Sequence, residues 1–152
     1  HRLPSPLPVG HLFLLLPQQS SQKNITADTG DNVILPCRLT NKITAVEWSR
    51  ADLGDEIVFL YQDGQFVPQN QHPSFKNRVA LRDRQMKDGD ASLILKNVTT
   101  ADSGTYKCRV KIPERNLWKY INLTASWLLK LLPERRTWKL LVIINLSVSP
   151  GE

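Results

Sequence analysis

Only two of the 152 residues are cysteine, Cys37 and Cys108, and only three are histidine. A tetrahedral zinc site needs four nitrogen or sulfur ligands, and His1, His11 and His72 have no paired spacing, so no metal centre is expected. A Ser/His/Asp cluster, a glycine-rich phosphate loop and an inward pair of carboxylates are all missing. The chain is therefore not expected to be an enzyme or to take a cofactor or a small-molecule substrate. Long apolar runs are scarce as well. Residues 11–16 (HLFLLL) are short and lack the basic start of a secretory signal, so they are read as the remnant of one. Residues 140–148 (LLVIINLSV) fall far below the ~20 needed to span a bilayer. The sequence is accordingly read as holding neither a complete signal peptide nor a membrane span. Segregated charge is lacking too. The net +6 is spread along the chain, and residues 24–125 mix basic and acidic side chains in nearly equal number, so nucleic acid is not the expected partner.

What the sequence does contain is a series of short alternating segments. Residues 32–39 place Val33, Leu35 and Cys37 on one face, with Pro36, which lacks an N–H, suited to an edge position. Residues 45–50 set Val46 and Trp48 against Glu47 and Ser49. Residues 56–62 (EIVFLYQ) form a continuous β-branched and aromatic run. Asp63-Gly64 follows as a two-residue hairpin signal, because both turn positions need positive φ. Val79 and Leu81, then Leu93 and Leu95, alternate in the next two segments. Residues 104–111 turn Tyr106, Cys108 and Val110 inward and Lys107, Arg109 and Lys111 outward. Residues 117–124 (LWKYINLT) are read as the last strand. About nine short strands with regularly spaced turns and no 3.6-residue stripe predict an all-β sandwich. Residues 1–23 are read as a leader, 24–125 as the domain, and 126–152 as a tail of non-native or disordered character. In that tail, residues 126–132 read as a short helix ended by Pro133. Residues 140–145 (LLVIIN) read as an aggregation hazard if exposed.

Two cysteines alone leave a disulfide and a pair of buried thiols equally open. Their surroundings decide. Trp48 follows the first cysteine, and Tyr106 stands two residues before the second in ADSGTYKC, residues 101–108. This Cys…Trp…Cys spacing with a corner tyrosine resembles the immunoglobulin signature. It implies a Greek-key sandwich whose two sheets are joined by Cys37–Cys108, with Trp48 packed on the sulfurs, Leu93 in the core, and Tyr106 tying the corner. Closing a loop of ~70 residues should restrict the unfolded chain by about 4 kcal/mol in the chain-entropy account. The basic residue of NRVAL and the acid of the corner imply a salt bridge, Arg78 to Asp102, as in variable-type (V-set) domains. The extra run at 56–67 also favours that nine-stranded type.

Residues 24–125, with VILPC, VEWSR, VFLYQDGQ, HPSFKNRVAL and KDGDASLILKNVTTADSGTYKCRV, resemble the membrane-distal domain of the butyrophilin family and related T-cell costimulatory ligands. Residues 116–124 lack the Gly-x-Gly bulge of antigen-receptor variable domains, which argues against a rearranged receptor. The resemblance implies a domain on the extracellular side of the plasma membrane that binds a protein receptor on another cell, a leukocyte, and modulates T-cell signalling and cytokine production. A cell-adhesion domain that pairs with a second copy is the alternative. Four sequons, at Asn24, Asn97, Asn122 and Asn145, support a secretory route.

Family members meet partners through the sheet of strands G, F, C and C′. On that face the expected residues are Glu47 and Ser49 from C, Phe59 and Tyr61 from C′, and Lys107, Arg109 and Lys111 from F. Aromatic and arginine side chains are enriched at binding hot spots. If C′ has the opposite phase, Phe59 and Tyr61 are core residues instead. The same sheet would serve a homodimer.

Overall fold

The computed structural model describes residues 21–113 and 138–151. Among these residues nine strands make two sheets. The larger orders β1 (Ser21–Asp28), β9 (Trp138–Ser149), β8 (Gly104–Lys111), β3 (Ala45–Arg50), β4 (Phe59–Gln62) and β5 (Gln65–Phe66). The smaller orders β2 (Val33–Leu35), β7 (Leu93–Leu95) and β6 (Val79–Leu81). All pairings are antiparallel except β1 with β9. The all-β sandwich expected from the alternation is therefore the observed architecture, and Pro36 lies just past β2, an edge strand.

Alternation explains the core. Val33 and Leu35 of β2 pair with Leu95 and Leu93 of β7, and all four are buried. Val46 and Trp48 of β3 pair with Val110 and Cys108 of β8. The period-2 rows of the two sheets meet as one apolar layer. The Trp48 indole N–H donates to the Ala91 carbonyl at 3.0 Å, so the largest core side chain has no orphaned donor. Asp63 and Gly64 both have positive φ, 51° and 79°, as the hairpin between β4 and β5 requires.

A second polar tie lies beside the disulfide. Buried Asp90 accepts from Arg82 Nε at 2.9 Å and from the Ser92 N–H at 3.0 Å. Ser92 Oγ in turn accepts from the Cys37 N–H at 3.1 Å. Burial pushes the Asp90 carboxyl up, but the bonds from Arg82 and Ser92 outweigh it and hold the pKa at about 2.

The end of the chain departs from expectation. The last strand is Trp138–Ser149, drawn from the segment read as a tail; residues 117–124 lie outside the described residues. Val142, Ile144, Leu146 and Val148 alternate into the core, and β9 is paired on both sides. Of the residues 140–145 that looked like an exposed hazard, 142–145 are held between β1 and β8, with Val142 and Ile144 buried, and Leu140 is paired with β8. Residues 126–132, expected as a short helix, lie outside the described residues.

Candidate functional site

The fold signature comes together as the resemblance implied. Cys37 and Cys108 form a disulfide with Cα atoms 6.5 Å apart, beside fully buried Trp48 and Leu93. Tyr106 donates its hydroxyl to the Asp102 carbonyl at 2.5 Å. Burial raises the Tyr106 pKa. Arg78 reaches both Asp102 carboxylate oxygens, at 3.1 and 2.5 Å, a bidentate pair closing one end of the sandwich. Asp102 also accepts from the Thr99 N–H at 2.9 Å, completing a capping box on the turn Thr100–Asp102.

Two residues of this corner escaped the sequence reading. Arg50 donates to the Tyr106 hydroxyl and to the Ala101 carbonyl, each at 3.2 Å. Its guanidinium lies 5.4 Å from the Phe75 ring centre, and that of Arg78 lies 5.9 Å from the same ring. Buried Phe75 thus has two cations within reach of its ring, a favourable contact for each. Gly104 makes room for the Arg50 side chain: a Cβ there would lie 2.9 Å from Arg50 Cδ.

These parts are structural, and the surface they support is the outward face of the larger sheet. There β9, β8, β3 and β4 occupy the G, F, C and C′ places. Glu47 and Ser49 lie on the outward side of β3, paired with Arg109 and Lys107 of β8. Lys111 lies farther along the same row. Five of the seven expected contact residues therefore share one face. Phe59 and Tyr61 do not. They pair with Trp48 and Val46, which point inward, and Phe59 is only 6% exposed. The outward positions of β4 belong to Leu60 and Gln62, opposite Glu47 and Ala45. Residues 56–62 are apolar at both parities, so their phase is set by pairing with β3 rather than by composition.

The last strand adds what the sequence reading missed. The register between β8 and β9 shifts between Cys108 and Arg109: Cys108 pairs with Val142, and Arg109 with Leu140. Leu141 is the extra residue of a bulge. Beyond it the parity of β9 inverts, so Leu140 and Trp138 join Arg109 and Lys111 on the outward side. Glu47, Arg109, Trp138 and Leu140 line a cleft of about 400 Å³ there. Neither Glu47 nor Arg109 makes an ion pair among the described residues. The alternation of Val142, Ile144, Leu146 and Val148 was the signal that could have found β9, but carried back through the bulge it would have placed Trp138 inward.

The sequons fall in different settings. Asn97 is exposed in a tight turn at φ 50°, and Asn24 is exposed on β1. The Asn145 side chain accepts from Thr105 Oγ1 at 3.0 Å and donates to Asn24 Oδ1 at 3.1 Å. Asn122 lies outside the described residues. Among the described residues no helix is long and apolar enough to cross a membrane.

Comparison with known proteins agrees with this geometry. Residues 20–125 match the immunoglobulin V-set domain. That match ends before β9. The hepatitis A virus cellular receptor 2 homolog of Rattus norvegicus is 34% identical over 118 residues, covering 70% of this chain and 40% of the relative. Butyrophilin subfamily 2 member A2 of Homo sapiens is 28% identical over 88 residues, covering 55% of this chain and 17% of the relative. The chain spans less than half the length of either of these curated relatives. The crystal structure of bovine butyrophilin aligns with a TM-score of 0.59 at 20% identity, over 89% of this chain and 53% of that one.

Proposed function

The chain belongs to the immunoglobulin V-set family, and from that premise we propose that it is an extracellular recognition domain that binds a protein receptor on a leukocyte. Binding uses the outward face of β9, β8 and β3 and modulates T-cell signalling and cytokine production. The observation that carries this reading is the cleft where Trp138 and Leu140 stand beside Arg109 and Glu47. An indole, an aliphatic side chain and two charges of opposite sign, neither in an ion pair among the described residues, suit a hot spot that fixes orientation as well as affinity. The relatedness to butyrophilin and to hepatitis A virus cellular receptor 2 supports an immune setting. The disulfide and the exposed sequons Asn24 and Asn97 support an oxidising, extracellular location on the cell surface.

The same face favours a second reading. Glu47 and Arg109 are cross-strand neighbours, so a two-fold-related copy can set each against its opposite. That would make the domain a homophilic adhesion module. Sedimentation of the purified chain, together with staining of leukocytes by a fluorescent tetramer, decides between them. The receptor reading expects a monomer whose tetramer stains leukocytes. A dimer in the micromolar range without staining favours adhesion, and a monomer that stains nothing refutes both.

A further inference from the structure

Phe59 and Tyr61 leave the outward face, but they build something else. Tyr61 pairs with Phe66 across the β4–β5 hairpin, so Phe59, Tyr61 and Phe66 lie on one side. The Phe59 and Phe66 rings stack at 5.1 Å with 7° between planes, and Phe59 and Tyr61 at 6.5 Å with 10°. This is the inner side of the larger sheet, yet Phe66 is 43% exposed. The cause is a mismatch in width. Among the described residues the larger sheet has six strands and the smaller three, and β6 is the last strand of the smaller one. The hairpin therefore overhangs β6. The overhang leaves a groove of about 500 Å³, with the three rings on one wall and Val79 of β6 on the other.

Every charged residue lining this groove is basic: Lys76 and Arg84. Neither is paired with an acid among the described residues. The acid next in sequence, Asp83, is not among the lining residues and accepts from the N–H groups of Gln85 and Lys87. Both strands flanking the groove, β5 and β6, are sheet edges among the described residues, and an edge presents backbone groups that an added chain can bond.

We propose that this groove is a second recognition site, separate from the outward face, that takes an extended acidic segment of a partner protein. An aromatic or aliphatic side chain of that segment enters against Phe66 and Tyr61, while flanking carboxylates meet Lys76 and Arg84. The volume is in the ordinary range of ligand pockets and admits one large side chain with its neighbours. The charge of the rim selects acid. The paired sheet edges select an extended chain over a compact ligand.

The test is fluorescence anisotropy of a labelled peptide, acetyl-Glu-Asp-Glu-Phe-Glu-Asp-amide, with the full chain at low salt. The same peptide with lysine at each acidic position is the charge control. The acidic peptide binds and the lysine peptide does not. The double variant Lys76→Glu/Arg84→Glu weakens binding by about tenfold or more, as expected for reversing rim charges. Phe66→Ser weakens it comparably with every charge intact. Arg109→Glu, on the outward face, leaves it unchanged. The proposal is overturned if the acidic peptide does not bind, if Phe66→Ser has no effect, or if Arg109→Glu abolishes binding. The second of these would mean simple charge attraction; the third would move the site to the other face. Because Arg109→Glu leaves the groove intact, failure here is separate from failure of the outward-face reading.

Discussion

Arg109 of β8 pairs with Leu140 of β9, although Cys108 beside it pairs with Val142. The skipped residue, Leu141, inverts the parity of the strand and brings Trp138 and Leu140 outward. Deleting Leu141 removes the bulge yet keeps Arg109 opposite Leu140. Deleting Lys139 instead places Trp138 opposite Val110, on the inward side. The Leu141 deletion is expected to stay within about 1 kcal/mol of the parent stability and to keep leukocyte binding. The Lys139 deletion is expected to lose binding. Urea melts and tetramer staining of the two deletions check this, and equal staining would show that the side on which Trp138 lies does not matter to binding.

Two glycines with the same backbone sign should respond differently. Gly89 and Gly64 have φ of 73° and 79°. A Cβ on Gly89 would lie 1.4 Å from the Leu39 carbonyl oxygen, a backbone atom, whereas one on Gly64 meets nothing within 4 Å. Gly64→Ala then costs only the strain of positive φ, about 1 kcal/mol. Gly89→Ala must also displace the backbone after β2, and about 3 kcal/mol or more is expected. Chemical denaturation of both variants gives the comparison.

Much of the fold was legible because its markers are chemically specific. Cys37, Trp48, Tyr106 and Cys108 alternate inward and are spaced to meet at the centre of two sheets. Asp63-Gly64 announced its hairpin through the φ values it tolerates. The faces of β3 and β8 were legible too, since polar and apolar residues alternate from Val46 to Ser49 and from Thr105 to Lys111. Two elements were not. In β4 both parities are apolar, and the overhang beyond β6 leaves inward Tyr61 half-exposed, so composition carried no phase. In β9 the run from Leu140 to Ile144 is apolar throughout, because a bulge and a partly covered outer face both blur a period of two. Arg50 and Phe75 were invisible for a different reason: their contact is made by tertiary packing around Gly104 and Arg78.

Asp90 gives the fold a defined acid sensitivity. Its pKa falls from an ordinary 3.8 to about 2 in the folded state. A depressed carboxylate stabilises the fold fully above its unfolded pKa, and that contribution is lost as pH falls through the folded one. The window is therefore pH 3.8 down to about 2. Asp90→Asn should cost about 1–2 kcal/mol near neutral pH, with screening at the exposed Arg82 allowed for. The parent and variant stabilities should converge as pH approaches 2. Urea melts across that range measure it; a constant gap between the two curves would exclude the carboxylate as the cause.

The central claim is that one face of the larger sheet carries recognition, and a paired substitution tests it most directly. Trp138→Ala with Arg109→Glu alters the cleft; Ile34→Ser alters the most exposed apolar side chain of the smaller sheet, at 44% exposure. Leukocyte binding of each is measured by surface plasmon resonance on captured cell membranes, with thermal melts confirming the fold. The account predicts that the cleft variant loses at least about tenfold in affinity while Ile34→Ser binds as the parent does. Unchanged binding by the cleft variant, or loss with Ile34→Ser alone, would contradict it.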